Sequence, residues 1–169
     1  MILGVMSDTH GNLDLMRRAA EQMRLLGAEV LYHLGDDYRD AEELVAEGFV
    51  VRQVPGLWCP EYQDSRILHC FVDCYDGVDV ACAHADRDLR HQERAAAIVM
   101  TGHTHTAQVV MLGRSLYVNP GHLKAPMSRD EPASFATVTI EAQNVTGRIH
   151  DAVTGEIRRE LTVPRDRLA

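Results

Sequence analysis

Two histidines, His103 and His105, lie two residues apart beside Gly102 and directly after the apolar residues 98–100. Side chains at positions i and i+2 of an extended chain point the same way, whereas on a helix they lie on nearly opposite sides. Both imidazoles are therefore predicted to converge on one point at the end of a strand. Because neutral imidazole is a common ligand of zinc-like ions, we expect a metal centre there. The alternative is a pair of surface histidines in a loop.

Further metal-ligating residue types follow apolar runs elsewhere in the chain. Asp8 and His10 repeat the two-residue spacing near the N-terminus, and Asp36 and His84 each follow a later apolar run. In open α/β sheets, ligands collect at the carboxyl ends of the strands. Asp8 or Asn12 could instead cap the helix that follows.

The whole set contains two carboxylates and four imidazoles, a mixture that suits manganese, iron, zinc or nickel better than calcium. Six ligands exceed the need of one tetrahedral ion. The count therefore predicts two divalent ions that share Asp36 as a bridge and can clamp one phosphoryl group.

Hydrophobic periodicity predicts the elements that position these residues in the first half of the chain. Buried strands alternate with amphipathic helices, which implies a parallel sheet with right-handed crossovers. In chain order the predicted elements are a strand at 2–6, a helix at 13–26, a strand at 30–34, a helix at 40–46 and a strand at 49–54.

The pattern changes in the second half, where Asp76-Gly77 and Gly113-Arg114 indicate hairpin turns. The predicted elements are strands at 67–75 and 78–83, a helix at 88–97, and strands at 98–101, 109–112, 116–118, 135–140, 145–150 and 157–163. We predict a single α/β domain over residues 1–169, parallel in its first half and antiparallel in its second. Its architecture is expected to be two packed mixed β-sheets flanked by helices.

Composition narrows the range of partners. The net charge of −8 over 169 residues argues against strong binding to nucleic acid or to anionic membranes. A phosphate substrate stays compatible, since bound metal ions would invert the local field. With no 18-residue apolar run and no basic leader, we expect a cytoplasmic protein, a homo-oligomer being possible. Four cysteines without CxxC spacing are expected to be reduced thiols: Cys59, Cys70, Cys74 and Cys82.

The order and spacing of these motifs resemble those of the calcineurin-like metallophosphoesterases, over roughly residues 2–141. The short length and residues 132–136 (Pro-Ala-Ser-Phe-Ala) are similar to the small YfcE-type phosphodiesterases. The motifs that carry the resemblance are Asp-Thr-His at 8–10, Gly-Asp at 35–36, Val-Pro-Gly at 54–56, His84, Gly-His-Thr-His at 102–105 and Asn-Pro-Gly at 119–121.

The resemblance implies a metal-dependent phosphodiesterase with two divalent ions, manganese being expected. Its implied ligands for the first ion are Asp8, His10, Asp36 and His105, and those for the second are Asp36, His84 and His103. A hydroxide between the ions would attack the phosphorus of a small phosphodiester in line, with His103 assisting catalysis. The alternative is a metal-poor binding scaffold similar to the retromer sorting subunit Vps29, which uses the same fold.

One ligand of the second ion is missing from the motif set. The family carries an Asn after the third strand, and Leu57, which stands there, has no donor atom. Either Cys59 or Glu61 replaces it, or water fills the gap. We therefore expect the second site to be weaker than the first.

Three other positions depart from the family pattern. Trp58 stands where phosphomonoesterase-type relatives carry a proton-donating His, which weakens the case for a monoesterase. His122 replaces a Ser after Asn-Pro-Gly, and Asp86 stands where relatives often have a second His. No site role is predicted for His33, His69, His91 and His150.

Overall fold

The computed structural model describes all residues, 1–169, and contains two main β-sheets and a short hairpin. The elements are β1 (Ile2–Met6), α1 (Leu13–Leu25), β2 (Val30–His33), α2 (Asp40–Ala46), β3 (Val51–Gln53), β4 (Cys70–Tyr75), β5 (Val78–Ala83), α3 (His91–Arg94), β6 (Ile98–Thr101), β7 (Gln108–Leu112), β8 (Ser115–Asn119), β9 (Met127–Ser128), β10 (Glu131–Pro132), β11 (Ser134–Ile140), β12 (Asn144–Asp151) and β13 (Ile157–Pro164). None of the helices is both long enough and apolar enough to cross a membrane.

Both main sheets mix parallel and antiparallel strands. The six-stranded sheet has the order β13-β12-β11-β1-β2-β3, in which β1, β2 and β3 are parallel. The five-stranded sheet has the order β4-β5-β6-β8-β7, in which β5, β6 and β8 are parallel. The predicted pair of mixed sheets is confirmed. The prediction of an antiparallel second half holds for the pairs β4–β5, β7–β8, β11–β12 and β12–β13. It is wrong for β5, β6 and β8, which are parallel, because the segments that contain α3 and β7 each bring the chain back so that the next strand runs in the same direction.

The two sheets pack face to face around the main hydrophobic core. Leu3 and Val5 of β1 and Ile98 and Met100 of β6 are buried in one cluster. Helices cover the outer faces: α1 and α2 pack on the six-stranded sheet and α3 on the five-stranded one. Burial of apolar surface between these layers is the main force that holds the strand ends in place.

Helix α1 follows the Asp8/His10 pair, and Asn12 is one of the two residues that the sequence offered as its N-cap. The Asn12 side chain accepts a hydrogen bond from Leu15 N–H at 3.2 Å. Asn12 is therefore the N-cap, and Asp8 is left to face the interior of the site. At the other end, Gly27 has a φ of 87°, as expected for the residue that ends a helix.

The predicted helix at 88–97 is mostly wrong. A 3-10 turn at Asp86–Asp88 is followed by extended backbone at Leu89 and Arg90, and only His91–Arg94 is α-helical. Leu89 is buried on the outer face of the five-stranded sheet. The helix is interrupted so that this side chain can be buried, and local helix propensity contains no information about such packing.

All four cysteines are unpaired, as expected. Cys59, Cys70 and Cys82 are buried, and Cys74 is exposed. Cys82 belongs to the core between the sheets, and burial raises the pKa of its thiol well above the usual value. It is therefore a neutral packing residue.

Candidate metal centre

The predicted site residues lie in loops just beyond the carboxyl ends of β1, β2, β5 and β6. Four of them have left-handed backbone, with φ of 55° at Asp8, 48° at His10, 66° at His103 and 62° at His105. The argument from extended side-chain alternation is therefore wrong. A turn at each residue sets the direction of its side chain, and the stored conformational cost is typical of functional loops.

Four of the residues come together in a cluster that we call the first half of the centre. One donor atom from each lies within 4.8 Å of the others, and the members are Asp8, His10, Asp36 and His105. His105 Nε2 is 3.2 Å from Asp8 Oδ1, and His10 Nε2 is 3.2 Å from Asp36 Oδ2. The two imidazole Nε2 atoms also lie 3.2 Å apart. Carboxylate and imidazole donors around one point can hold a divalent transition ion.

Unpaired buried atoms show that this donor set fits a cation. Asp8 is fully buried, and neither its Oδ1 nor Asp36 Oδ1 has a hydrogen-bond partner. Buried polar atoms are nearly always paired, so such exceptions need an explanation. Burial alone would raise the pKa of Asp8, but the adjacent His105 and Ser7 side chains and the nearby His84 hold it below its usual value. Asp8 is therefore an anion at neutral pH.

Asp36, His84 and His103 form what we call the second half of the centre. His84 Nε2 lies 3.3 Å from Asp36 Oδ1, and the rings of His84 and His103 are 5.1 Å apart, edge to face. His84 Nδ1 lies 2.6 Å from Leu34 O and donates to it. That bond leaves a lone pair on Nε2, which is buried and has no hydrogen-bond partner. His84 is thus fixed in the tautomer that a metal ligand requires.

The two histidines of the 102–105 motif do not converge on one point. The His105 ring lies 5.1 Å from that of His10, whereas His103 lies beside His84. Left-handed backbone at both residues turns them to different sides of Asp36. Asp36 contacts both halves, because its Oδ2 faces His10 and its Oδ1 faces His84.

Close backbone packing holds the loop that carries these histidines. A Cβ on Gly102 would lie 1.9 Å from Ser7 Oγ, so only glycine fits. The His103 N–H donates to Asp8 Oδ2 at 2.9 Å. Asn119 Nδ2 donates to Gly102 O at 2.8 Å, which fixes the other side of the loop. Asn119 is therefore a positioning residue, which belongs to the Asn-Pro-Gly motif but for which no role was predicted.

The two proposed replacements for the missing Asn of the second half, Cys59 and Glu61, are engaged with other groups. The Cys59 thiol donates to the backbone carbonyl of Asp36, and burial raises the pKa of that thiol. The Glu61 carboxylate is 3.1 Å from Arg39 Nε. Both side chains thus have other partners. Leu57 itself is half-buried in the turn that follows Gly56.

The remaining departures from the family pattern have different environments. His122 is buried, its ring lies 5.4 Å from that of His105, and its Nε2 donates to Glu131 O at 3.0 Å. It packs behind the first half, a contact that sequence reasoning missed. Asp86 is exposed and pairs with Arg94 at 2.9 Å.

An open cleft with a volume of about 410 Å³ adjoins the first half of the centre. Its walls come from the loops that follow β2 and β3. The lining residues are His10, Asp36, Asp37, Tyr38, Arg39, Asp40, Trp58, Cys59, Pro60 and Glu61. Carboxylates outnumber cationic groups on these walls, so an anionic substrate would need bound cations to enter.

Two solved structures share this fold. YfcE, a phosphoesterase from E. coli, has a TM-score of 0.74 and is 21% identical, with 95% of this chain and 98% of that chain covered. Wild-type Vps29 from Entamoeba histolytica, solved as a complex with Zn²⁺, has a TM-score of 0.67 and is 18% identical, with 98% and 99% covered. At these identities the likeness shows the fold alone.

Sequence comparison is more specific. The probable metallophosphoesterase YsnB of Bacillus subtilis (strain 168) is 34% identical over 160 residues, covering 90% of this chain and 92% of the relative. The model of the calcineurin-like phosphoesterase superfamily domain matches residues 1–143. The residues after this range complete the six-stranded sheet as β12 and β13. The chain therefore belongs to the calcineurin-like phosphoesterase superfamily.

Proposed function

We propose that the protein is a metal-dependent phosphodiesterase with two divalent ions at its centre, manganese being the expected metal. The observation that carries the proposal is the convergence of Asp8, His10, Asp36 and His105 on one point, where a buried carboxylate oxygen of Asp8 and one of Asp36 have no hydrogen-bond partner. A hydrolase is also the activity that the family's name describes.

In this proposal Asp8, His10, Asp36 and His105 hold one ion, and Asp36, His84 and His103 hold the other. Bound ions would lower the pKa of a water molecule and neutralise charge on the phosphoryl oxygens. Asp36 sets the spacing of the two sites through its two oxygens. Asn119 and the Asp8 carboxylate hold the His103 backbone, so His103 can assist catalysis without rearrangement.

The charge of the cleft supports a diester rather than a monoester substrate. Asp37, Asp40 and Glu61 line it, and Arg39 is already paired with Glu61. A diester carries one negative charge on the phosphate, whereas a monoester carries up to two near neutral pH. Repulsion by the carboxylates therefore disfavours the monoester more strongly.

A binding scaffold is the second candidate function, because Vps29 structures share the fold. The absence of an Asn ligand at Leu57 favours it. Because a Vps29 structure is itself complexed with Zn²⁺, metal content alone does not separate a scaffold from an enzyme. Turnover does.

The test is hydrolysis of bis-p-nitrophenyl phosphate and p-nitrophenyl phosphate by manganese-loaded protein. We expect faster release from the diester, and no release after chelation. Asp36→Asn serves as the control, since it removes the charge that both halves share. A monoester preference of about tenfold or more, equal to about 1.4 kcal/mol in barrier, would overturn the diester assignment. Turnover of neither ester by metal-loaded protein would favour the scaffold.

A further inference from the structure

Trp58 is the only tryptophan of the chain and lies at the wall of the cleft beside the candidate metal centre. Its side chain is 88% exposed. Single exposed apolar residues are common on protein surfaces. An indole that lines the same cleft as His10 and Asp36, however, presents a flat apolar face to whatever occupies that cleft.

The loop that carries Trp58 is fixed to the metal centre on both sides. Before it, Gly56 packs so closely that a Cβ would lie 2.4 Å from Asp36 Oδ1. After it, Cys59 is buried, its thiol donates to the Asp36 carbonyl, and its N–H donates to Gly56 O at 3.1 Å. Pro60 then begins a 3-10 turn. The backbone that carries Trp58 is therefore anchored beside Asp36.

The chemistry of the other walls limits what Trp58 can contact. Asp37, Asp40 and Glu61 repel any anionic group that bound cations do not hold. The indole has no charge and favours planar rings, which stack on it whatever their hydrogen-bonding pattern. The volume of about 410 Å³ lies in the range of small-molecule sites, which fits a small ester.

We propose that Trp58 determines substrate specificity by stacking on a planar, uncharged ring joined to the reacting phosphate, either a nucleobase or an aryl group. This inference rests on the proposed phosphodiesterase function, because the metal centre must hold the phosphate at the other end of the substrate.

The test is binding of three phosphate monoesters, as product mimics, to manganese-loaded protein by calorimetry. Adenosine monophosphate carries a nucleobase, phenyl phosphate an aryl ring and methyl phosphate no ring. We expect Trp58→Leu to weaken binding of at least one ringed ligand by about tenfold, and Trp58→Phe to retain most of it. Binding of methyl phosphate should stay within about twofold in both variants. Loss with adenosine monophosphate indicates a nucleobase, and loss with phenyl phosphate alone indicates an aryl group.

A second readout uses the single tryptophan itself. Its fluorescence, excited where adenine does not absorb, should be quenched by a ringed ligand at concentrations where methyl phosphate has no effect. Leu112→Ala, which truncates an exposed apolar residue of β7 outside the cleft, is the matched control and should bind like wild type. Melting temperatures of all variants check the fold.

The outcomes separate this inference from the function on which it rests. If all three ligands bind and Trp58→Leu changes none of the affinities, stacking is refuted while the phosphate site stands. If none binds to metal-loaded wild type, the stacking proposal is refuted, and hydrolysis of bis-p-nitrophenyl phosphate decides separately whether the phosphodiesterase function stands.

Discussion

The two halves of the candidate metal centre share Asp36 but differ in how completely the chain supplies them. The first half has four protein donors within 4.8 Å of one another. The second has Asp36, a rigidly held His84 and the nearby His103, with Leu57 where the family carries an Asn. Relatives of this fold include both phosphoesterases and Vps29. In this chain a complete first half coexists with a second half that lacks one ligand of the family pattern, so the two halves can be tested separately.

Removing a ligand of the first half should have the largest effect. We expect Asp8→Asn to lose metal and to lower kcat for a diester by more than about a hundredfold, above the range for residues that only hydrogen-bond to a metal ligand. The amide removes the negative charge from a fully buried position that faces His105. Elemental analysis and steady-state kinetics measure both effects.

The matched control is Asp86→Asn, which removes an exposed carboxylate paired with Arg94 outside the centre. It should retain metal and rate. If Asp8→Asn still binds its ions and hydrolyses the diester at the wild-type rate, the first half is not the primary metal site. The proposed difference between the two halves is then refuted.

The buried His33 packs behind the first half, and its presence should make the stability of the protein depend on pH. His33 contacts Thr9 Oγ1 at 3.3 Å behind the Asp8–His10 loop, and burial lowers its pKa from 6.5 to about 4. As pH falls below 6.5, the unfolded chain takes up a proton that the folded state excludes. The free energy of unfolding should therefore fall between pH 6.5 and about 4, by an amount on the order of 3 kcal/mol.

Urea unfolding of metal-free protein at several pH values measures this dependence. His33→Gln should have a flatter profile over the same window, because it removes the titrating group and keeps a polar side chain. Other buried histidines with lowered pKa, such as His150, remain in both proteins and cancel in the difference. Identical slopes for wild type and variant would show that His33 does not link acid to the stability of this region.

Removing the fixed ligand of the second half should have a smaller effect. In His84→Asn the new amide can still donate to Leu34 O, as His84 Nδ1 does at 2.6 Å, but the donor at Nε2 is lost. We expect one ion to remain and the rate to fall by about tenfold, a barrier change of about 1.4 kcal/mol. Metal stoichiometry and kcat test this. Loss of both ions would show that the halves are not independent.

Much of the fold was predictable because local signals and tertiary packing agree. Asp76-Gly77 predicted the β4–β5 hairpin, and both residues have the positive φ that such a turn needs. The helix at 88–97 was mostly wrong because burial of Leu89 overrides helix propensity. The β9–β10 hairpin was missed because its turn residues, Arg129 and Asp130, carry no glycine signal for their positive φ.

The location of the candidate residues at the strand ends was predictable, but their local geometry was not. Motif order indicated which residues would gather at the strand ends, and the structure gathers them there. Spacing alone misplaced His103 and His105 at one point, because left-handed backbone cannot be read from a His-x-His pattern. The role of Asn119 and the contact of His122 with His105 depend on chain segments far apart in sequence. Such contacts have no local signature.

Restoring the missing ligand should have the smallest effect and bears most directly on the comparison. We expect Leu57→Asn to tighten the second ion site by less than about tenfold, because three protein ligands with water already suffice to hold an ion. Manganese titrations of wild type, Leu57→Asn and Leu57→Ala separate the new donor from a mere loss of volume. The gain should appear only with asparagine and raise activity only at low metal. Cys59 and Glu61 are engaged with the Asp36 carbonyl and Arg39, so neither is expected to mask it. If wild type binds two ions with equal affinity and asparagine changes nothing, another group completes the second half. A weak second ion site then cannot explain any loss of catalysis.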